Sequence, residues 1–513
     1  MALLGSILKR TIELNKKLPK IRRKTNSRIQ QKTLKKLLNK AEFTAFGEHY
    51  NFSRILADSN PVDLFRKTVP VHDYNSMFRR WWYRSLNGEA FVTWPEKVKY
   101  FALSSGTSES SSKHIPVTKE TLRMIRRASI KQILALAHYD LPPEFYQKGI
   151  LMIGGSTHLN FNGTYFSGDL SGITTGNIPF WFQHFYKPGG RISRERDWNT
   201  KIDEMVRNAH TWDIGIVCGV PAWIQILFEK IVKHHNVSTI HDIWPNLRVY
   251  VWGGVSIKPY KQGFDKLLAR PIGYLETYLA SEGFIGYQDH PERPGNRLLL
   301  DNGIFFEFIP FNSENFDADG NMIENPVTLT IEEVDTHTEY ALLLSTCSGA
   351  WRYLIGDTIR FTDVDLAHIE ITGRTKQFLS LCGEHLSQDN MNRAIELTAE
   401  ELDITINEYT VGGINYKGLF AHHWYIGTDD QVDAEQLKTR IDEHLKNLND
   451  DYRVERTAAL KEVIVEVLPL HVFHDWMRSQ GKEGGQHKFP RVMKNQRLEN
   501  WQQFIREQHK QLG

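Results

Sequence analysis

Three stretches of the chain share a pattern that strongly limits the possible folds: each is an apolar run that ends in glycine. Residues 149–155, 213–219 and 247–254 all have this form, and Pro221 closely follows the second stretch. Such runs are typical of buried parallel strands, and proline is favoured in the first turn of a helix. Repeated strand–glycine–helix units predict an α/β fold with a parallel sheet, whose ligands bind beyond the carboxyl ends of the strands.

The pattern changes further along the chain. Between residues 295 and 370, apolar runs at 304–309, 327–331 and 340–345 are separated by polar turns, which predicts antiparallel strands. After Gly373, helices predicted at 387–402 and 434–449 alternate with strands predicted at 406–413, 421–427 and 461–467. We therefore predict a large N-terminal domain at 1–372, with parallel and mixed sheets flanked by helices, and a small α+β C-terminal domain at 373–513.

Length and cysteine usage limit the class of protein. The 513 residues are too many for one hydrophobic core, and no apolar run is long enough to span a bilayer. Cys218, Cys347 and Cys382 lack Cys-x-x-Cys spacing, and the apolar start of the chain lacks the form of a secretory signal. We therefore expect a cytoplasmic protein with free thiols, no structural zinc and no stable membrane insertion.

The first 40 residues are strongly basic, with thirteen lysines and arginines against the single acid Glu13. Such a segment can bind nucleic acid or an anionic membrane. Apolar side chains recur at helical spacing at the end of this segment, however, at Leu34, Leu37 and Leu38, and the pattern continues to Ala41. This spacing favours an amphipathic helix with a solvated basic face. No zinc finger or RNA-recognition motif is present in the sequence, so nucleic acid is not an expected partner.

A run of small residues after a strand-like segment is the first candidate site. The run comprises Ser104, Ser105, Gly106, Thr107 and Ser108, and three further serines lead to Lys113. Backbone N–H groups and hydroxyls of small residues can surround a phosphate, and a lysine adds a positive charge. The Gly-Lys-Ser/Thr ending of a P-loop is absent, because His114 follows the lysine. A solvated serine-rich loop is the alternative interpretation.

Three later segments carry residues suited to the rest of a nucleotide. Tyr278, Ser281 and Glu282 offer an aromatic face for adenine, a hydroxyl and a carboxylate for Mg²⁺ within one short segment. Asp357 is suited to bind ribose hydroxyls, and Arg374 stands at the predicted domain junction. Taken singly, Tyr278 could equally be a core residue, Asp357 a turn residue and Arg374 a surface cation.

The order of these motifs resembles the adenylate-forming superfamily, and more closely the Gretchen Hagen family of acyl-acid amido synthetases. The family's phosphate-loop motif is similar to residues 104–113, its Tyr-x-x-Ser-Glu motif to 278–282, and its Tyr-Arg-x-Gly-Asp motif to 353–357. The resemblance extends from about residue 28 to the C-terminus and includes residues 70–74 and 252–255. The chain departs from the family at 109–112, where glycine is common, and at position 354, where leucine stands in place of the motif's arginine. Arg352 precedes the motif and is the candidate to substitute for that arginine. The basic extension 1–27 lies outside the resemblance.

The resemblance implies a ligase that uses ATP and Mg²⁺. Such an enzyme converts a carboxylic acid into acyl-AMP, releases pyrophosphate and passes the acyl group to an amine, which the family resemblance suggests is an amino acid. It implies that residues 104–108 and Lys113 hold the β- and γ-phosphates, that Glu282 holds Mg²⁺, and that Lys488 reaches the α-phosphate. It further implies that Gly253, Gly254 and Tyr278, with Ser281 beside them, contact adenine. Asp357 and Arg374 are implied to contact the ribose. The C-terminal domain is expected to rotate at a hinge near Lys376.

Other readings stay open. An adenylate-forming enzyme can instead pass the acyl group to coenzyme A and form a thioester. A non-catalytic nucleotide-binding protein with a basic N-terminal arm is the alternative from another class. Lys488 could be a surface lysine on a glycine-rich loop. The aromatic stretch 156–186 is a candidate acyl pocket, although many of its side chains would serve equally well as core.

Overall fold

A computed structural model describes residues 25–105, 112–139, 141–255, 257, 260–317, 320–376, 378–384, 386–480 and 489–512. Two compact units divide the chain, the first comprising Met1–Ser104 and His114–Thr375 and the second comprising Ser105–Lys113 and Lys376–Gly513. The α/β fold expected from the strand–glycine–helix pattern is confirmed, since the larger unit contains a parallel sheet with helical connections.

The strands are, in chain order, β1 Tyr100–Ser105, β2 Ser112–Val117, β3 Gly149–Met152, β4 Asn160–Phe161, β5 Phe166–Gly168, β6 Tyr186–Lys187, β7 Ile214–Cys218, β8 Val249–Gly253, β9 Gly273–Ala280, β10 Gly283–Tyr287, β11 Asn296–Leu298, β12 Ile304–Pro310, β13 Glu339–Thr346, β14 Tyr353–Asp363, β15 His368–Arg374, β16 Phe378–Leu379, β17 Leu386–Ser387, β18 Glu408–Tyr416, β19 Leu419–Gly427, β20 Leu460–Leu468 and β21 Val492–Met493.

The α-helices are α1 Asn26–Ala41, α2 Ala45–His49, α3 Phe52–Ala57, α4 Pro61–Thr68, α5 Tyr74–Met77, α6 Tyr83–Leu86, α7 Lys119–Ala135, α8 Leu170–Gly176, α9 Gly190–Ser193, α10 Trp198–Asn208, α11 Pro221–His235, α12 Lys261–Leu267, α13 Gln388–Leu402, α14 Ala434–Leu448, α15 Asp450–Glu455, α16 Leu470–Ser479 and α17 Asn495–Leu512. A π-helical turn, Phe78–Trp82, joins α5 to α6.

An eleven-stranded sheet runs through the larger unit in the order β12-β13-β14-β15-β11-β10-β9-β8-β7-β3-β6. Strands β6, β3, β7, β8 and β9 are parallel, as the glycine-ended runs predict. Strands β9 to β15 are paired antiparallel. A smaller sheet, β2-β1-β5-β4, carries the strand that leads into the phosphate-loop segment.

The amphipathic helix predicted near the N-terminus is confirmed as α1. Its buried side chains include Leu34, Leu37, Leu38 and Ala41, and the Thr25 side chain accepts a hydrogen bond from the backbone of Arg28. The amide of buried Gln30 donates to the carbonyls of Leu300 and Ile304 at 2.7 and 3.0 Å. Backbone groups of a neighbouring segment thus fix the helix against the body of the unit.

The strand predicted at 327–331 is wrong, because this segment forms only an isolated bridge between Leu329 and Phe308. Two of its N–H groups bond to side chains: Val327 N donates to Asn315 Oδ1 at 2.8 Å, and Thr330 N donates to Glu333 Oε2 at 2.6 Å. Since these N–H groups already have acceptors, the segment does not extend the ladder beside β12.

The second unit contains the sheet β20-β19-β18-β21 and helices α13 to α17. Helices predicted at 387–402 and 434–449 are confirmed as α13 and α14, and the three predicted strands as β18, β19 and β20. Buried Glu384 accepts hydrogen bonds from the backbone of Leu381, Cys382 and Gly383 and pairs with buried His422 at 2.9 Å. Although burial alone would raise the pKa of Glu384, these partners lower it to about 2.

Candidate active site

The carboxyl ends of the parallel strands form the edge at which the sequence predicts a ligand. Gly253 closes β8 opposite Thr277 of β9. A side chain at Gly253 would place its Cβ 2.4 Å from the Thr277 carbonyl oxygen, so only glycine fits this close approach. Gly254 follows with a φ of +83°, in the left-handed region. The two predicted adenine-framing glycines therefore form a narrow backbone turn without side chains.

Tyr278, Asp357 and Arg374 come together although they are far apart in the sequence. The Tyr278 hydroxyl donates to Asp357 Oδ2 at 2.6 Å, and Arg374 Nε lies 3.3 Å from Asp357 Oδ1. Asp357 on β14 is the register partner of Arg374 on β15. Three strands separate β9 from β14 in the sheet order, a distance of roughly 19 Å in a flat sheet, so this end of the sheet must curl. The result is a carboxylate with one donor on each oxygen.

The environment of Tyr278 explains its role in this cluster. Its side chain is only 6% exposed, and burial, followed by the charge of Asp357, raises the pKa of its hydroxyl well above the ordinary value. The hydroxyl therefore stays protonated and acts as a hydrogen-bond donor at any physiological pH. Its predicted stacking against adenine stays a prediction.

Glu282 is the predicted Mg²⁺ ligand, in the turn that joins β9 to β10 together with Ser281. It is 8% exposed, and its charge contributes to the raised pKa of buried Tyr353 after burial itself. In the part of the chain that the structure describes, no three His, Cys, Asp or Glu side chains cluster to hold a metal ion. Mg²⁺ that arrives with phosphates is bound by one or two carboxylates, and a single buried carboxylate fits that requirement.

The predicted phosphate loop is described only at its ends. Ser104 is half-buried near the end of β1, and Ser105, whose side chain is not described, is the last residue of that strand. Lys113 lies in β2 and is also half-buried. Gly106, Thr107 and Ser108, and also Lys488 in the C-terminal part, lie outside the described residues. Lys376 is exposed just after β15 and is the residue at which the second unit resumes.

Arg352, which precedes the departure at Leu354, is not directed at this cluster. It is buried and forms a two-pronged pair with Glu307, with Arg352 Nη2 2.9 Å from Glu307 Oε1. The neighbouring segment with a family-like pattern, residues 70–74, runs beside it. His72 N donates to the Arg352 carbonyl and Leu354 N donates to the His72 carbonyl, both at 2.8 Å. Arg352 is thus a structural cation of the sheet.

The aromatic stretch 156–186 includes exposed rings. Phe161 is 58% exposed and lies 4.6 Å, between ring centroids, from Phe166 on the adjacent strand β5. Strand β5 is parallel to β1, with Gly168 opposite Ala102. The aromatic strands and the beginning of the phosphate-loop segment therefore share one small sheet.

Lys201 is a buried charge that the sequence analysis missed. It lies on α10, where the buried residues are Lys201, Ile202, Met205 and Val206. The sequence contained a signal for this burial. Lys201 occupies a position in the apolar stripe of this helix (i, i+1, i+4, i+5) and not on its polar face. A lysine within such a stripe is unusual and indicates either a buried ion pair or a functional site.

None of the helices within the described ranges is both long and apolar enough to cross a membrane.

Profiles of three domains match the chain. They are the GH3 family N-terminal domain over residues 17–202, the GH3 family central domain over 297–374 and the GH3 family C-terminal domain over 389–497. These matches together cover most of the chain, and they confirm the family resemblance seen in the motifs.

Characterised relatives match parts of the chain. Indole-3-acetic acid-amido synthetase GH3.4 of Arabidopsis thaliana is 25% identical over 282 residues, which are 50% of this chain and 45% of that protein. Jasmonoyl–L-amino acid synthetase JAR4 of Nicotiana attenuata is 29% identical over 190 residues, 36% of this chain and 32% of that protein. The chain thus spans less than half the length of these curated relatives in the matches.

Solved structures match nearly the whole chain in fold. The GH3.15 acyl acid amido synthetase has a TM-score of 0.56 at 17% identity, covering 94% of this chain and 93% of that one. A 2-hydroxyisobutyryl-CoA ligase has a TM-score of 0.55 at 11% identity, covering 94% and 91%. At these identities the likeness concerns the fold alone. From the three domain profiles and the motif order, the chain belongs to the GH3 family.

Proposed function

We propose that this protein is an ATP-dependent acyl-acid amido synthetase. It activates a carboxylic acid as acyl-AMP with release of pyrophosphate, and it then transfers the acyl group to an amine, for which an amino acid is the expected acceptor. The observation that carries the proposal is the Asp357 carboxylate held between Tyr278 and Arg374. Family membership supports the same chemistry, since the relatives matched above are named as an indole-3-acetic acid-amido synthetase and a jasmonoyl–L-amino acid synthetase.

The Asp357 carboxylate is suited to a ribose. An ionised carboxylate offers about four lone-pair positions and no donor. Tyr278 and Arg374 occupy one position on each oxygen, which leaves acceptor capacity for the two hydroxyls of a sugar. Because both donors are side chains of the protein itself, the carboxylate is already oriented before a nucleotide binds. Arg374 also donates to the carbonyl of Ile355 at 3.1 Å, which fixes the guanidinium.

The first reaction step brings several negative charges together, so its catalysis depends on positioning and charge neutralisation. We assign the β- and γ-phosphates to residues 104–108 and Lys113, adenine to the Gly253–Gly254 turn beside Tyr278 and Ser281, and the α-phosphate to Lys488. Glu282 would hold Mg²⁺, which neutralises phosphate charge when bound. Lys488 and Lys376 belong to the sequence of the C-terminal unit, whose rotation at Lys376 we propose as the step that admits the amine.

The free thiols fit the proposed cytoplasmic location. Cys347 and Cys382 are buried and Cys218 is half-buried, and all three are unpaired. Burial raises the pKa of the Cys218 and Cys347 thiols to about 12, so these side chains are inert apolar groups at neutral pH.

The deciding experiment is ATP–pyrophosphate exchange with the full chain, Mg²⁺ and a panel of acids: indole-3-acetate, jasmonate, 2,4-DB, benzoate and 2-hydroxyisobutyrate. Acid-dependent exchange in the wild type supports adenylation. An Asp357→Asn variant is expected to raise the KM for ATP about tenfold or more, because the amide presents a donor where a ribose hydroxyl needs an acceptor. Exchange that is equal in both proteins would contradict the role of Asp357.

The acceptor is tested in the same reaction by adding amino acids or coenzyme A. AMP and an amide that form only with an amino acid support the amido synthetase. A thioester that forms with coenzyme A would contradict the amido synthetase and support the thioester-forming ligase. No exchange with any acid, despite measurable ATP binding, would overturn the adenylation proposal as a whole.

A further inference from the structure

Lys201 is buried without the full set of partners that a buried ammonium requires. Its exposed fraction is 2%, and in the described part of the chain its one hydrogen bond runs from Nζ to the Gly154 carbonyl at 3.2 Å. The same Nζ lies 5.2 Å from the centre of the Trp198 ring. An ammonium can donate three hydrogen bonds, and a buried charge that makes only one is costly.

The carbonyl that Lys201 contacts belongs to a turn that is unusually tightly packed. At Gly155 a Cβ would lie 1.9 Å from Asp169 Oδ2, and at Gly172 it would lie 2.2 Å from the Ser156 carbonyl oxygen. Gly155 N donates to Ser171 Oγ at 2.9 Å. Glycine is required at both positions, so residues 154–156 and the first turn of α8 fit together with no room for a side chain.

The same turn is also tied to the segment before α10. Thr157 N donates to the Ser193 carbonyl at 2.9 Å, Ser156 Oγ donates to the Arg194 carbonyl at 2.8 Å, and Arg196 Nε donates to the His158 carbonyl at 3.2 Å. Residues 154–158 are therefore held from three directions: by α8, by residues 193–196 and by Lys201.

The position of this turn connects it with the site. It follows β3, so it lies at the carboxyl edge of the parallel sheet, where β8 also ends in Gly253. Asp169 follows β5, which is parallel to β1 and therefore ends at the same edge of the small sheet as Ser104. Lys201 contacts the turn after β3 and Asp169 packs against Gly155 in the same turn, so the ends of strands from both sheets meet there, at the edge where ligands of such folds bind.

We propose that Lys201 is a positioning residue for acyl-acid binding: by holding the Gly154 carbonyl in the turn that packs against Asp169, its ammonium fixes residues 154–158 as a wall of the acid site. The inference rests on the proposed function. Because Lys201 is buried, it acts through this turn and does not touch the substrate. The side chains that the turn presents, from Ser156 to His158, precede the exposed aromatic residue Phe161.

The charge of Lys201 makes this arrangement sensitive to pH. The carboxylates that act on it are Asp169, at the start of α8, and Glu195, before α10, and both favour the charged form. Burial outweighs them and lowers the pKa of Lys201 to about 8. Loss of the proton removes the attraction to Asp169 and weakens the hydrogen bond to Gly154.

The test compares Lys201→Met, Lys201→Arg and a matched control, Lys230→Met, by pyrophosphate exchange with the acid of the panel that the wild type uses best. Lys230 is a half-exposed lysine on α11 that pairs with Asp203 of α10 at 2.8 Å. We expect Lys201→Met to raise the KM for the acid about tenfold and to leave the KM for ATP within about twofold, while Lys230→Met changes neither.

The pH profile separates positioning by a charge from simple packing. The wild-type KM for the acid should rise severalfold between about pH 7 and pH 9.5, while Lys201→Met should give a flat profile. Carboxylic acids are fully ionised throughout this range, so the substrate itself contributes no slope. Lys201→Arg should give an intermediate KM without the rise, because a guanidinium keeps its charge.

Hydrogen–deuterium exchange of the peptide that spans residues 154–158 supplies a readout that does not depend on activity. Faster exchange in this peptide in Lys201→Met, and not in Lys230→Met, is expected. Two results would overturn the inference: unchanged hydrogen–deuterium exchange in this peptide, or values of KM for the acid and KM for ATP that rise together in Lys201→Met. In either case, acid-dependent pyrophosphate exchange by the wild type would still support the proposed function. If Lys201→Met does not fold, the pH profile of the wild type against Lys201→Arg decides. If the wild type shows no acid-dependent pyrophosphate exchange, the proposed function is overturned, and the acid site with it.

Discussion

Among the described residues of the larger unit, two lysine or arginine side chains are almost fully buried, Arg352 at 4% exposed and Lys201 at 2%, and their surroundings differ. Every N–H group of the Arg352 guanidinium has an acceptor: Glu307, the carbonyls of Arg66 and Val69, and the Thr328 hydroxyl. Lys201 donates to a single carbonyl among the described residues. Burial alone therefore does not reveal what a charge does in a protein; the completeness of its hydrogen bonding is more informative.

The surroundings of Arg352 indicate a structural role. Its backbone φ is +42°, a left-handed conformation that is strained for an arginine. Ser345 Oγ accepts from Arg352 N at 2.9 Å, and the two-pronged pair with Glu307 holds the side chain. A paired buried charge with all donors satisfied is stable where it lies, whereas removal of one partner leaves the other charge buried alone. Lys201 lacks such a set of partners among the described residues, so its burial lowers the stability of the fold. A charge kept at that cost is more typical of a functional position than of a structural one.

The largest change in the free energy of unfolding is expected from Arg352→Met. Glu307 is 1% exposed and would keep an uncompensated charge, since the one other cation paired with it among the described residues is Arg66, whose Nε lies 4.0 Å away. We expect a loss of about 3–5 kcal/mol in the free energy of unfolding, measured by urea titration of the full chain with tryptophan fluorescence. The double variant Arg352→Met, Glu307→Leu should recover part of the loss, because no charge is then left unpaired. A loss below about 1 kcal/mol in the single variant would contradict the structural role of Arg352.

Lys201→Met is expected to have the next largest effect on the free energy of unfolding, with a sign opposite to that of Arg352→Met. Below about pH 8, Lys201 is charged in both the folded and the unfolded chain, and the folded protein carries the full burial cost. Between about pH 8 and the unfolded value near 10.5, the folded chain releases a proton that the unfolded chain keeps. Wild-type stability therefore rises with pH over that window.

Relative to Lys201→Met, the wild type should gain about 2 kcal/mol in the free energy of unfolding between about pH 7 and pH 9.5. At pH 7 the variant should be no less stable than the wild type, because an apolar side chain of similar length replaces a poorly paired charge. Urea titrations of both proteins at several pH values measure this difference. A variant that is clearly less stable at pH 7, with a difference independent of pH, would place Lys201 with Arg352 as a structural cation.

Local patterns in the sequence predicted the elements of the fold well. Strands β3, β7 and β8 and the start of α11 at Pro221 follow from apolar runs, glycine and proline, all of which act within a few residues. The strand expected at 327–331 did not form, because side chains from 315 and 333 take its backbone hydrogen bonds. Those acceptors come from outside the run, where a local pattern carries no information.

The sequence motifs nominate the candidate site residues one by one, and their roles toward a nucleotide stay predictions; the contacts among these residues were not predicted. Tyr278 and Asp357 are expected to touch a nucleotide, which stays a prediction; the structure shows that they touch each other across 79 positions of sequence. Whether a lysine or arginine is buried, and how fully it is bonded, depends on segments as distant as Glu307 for Arg352 and Asp169 for Lys201. Such pairings come from the topology of the sheet, so no local motif identifies them.

Arg374 provides a third cation that sharpens the comparison, with the smallest expected change in stability. It is about one-third exposed, it pairs with Asp357 at 3.3 Å, and solvent screens much of that pair. Arg374→Met should therefore lower the free energy of unfolding by less than about 1 kcal/mol. Its effect on function should be larger, because Asp357 would lose one of the two donors that orient it: the KM for ATP in pyrophosphate exchange should rise about tenfold while the KM for the acid stays unchanged. The opposite outcome, a large loss of stability with an unchanged KM for ATP, would class Arg374 with Arg352 and remove it from the nucleotide site. With the three variants side by side, a cation that stabilises the sheet, one that orients a ligand-binding carboxylate and one that fixes a turn near the acid should each change a different measured quantity.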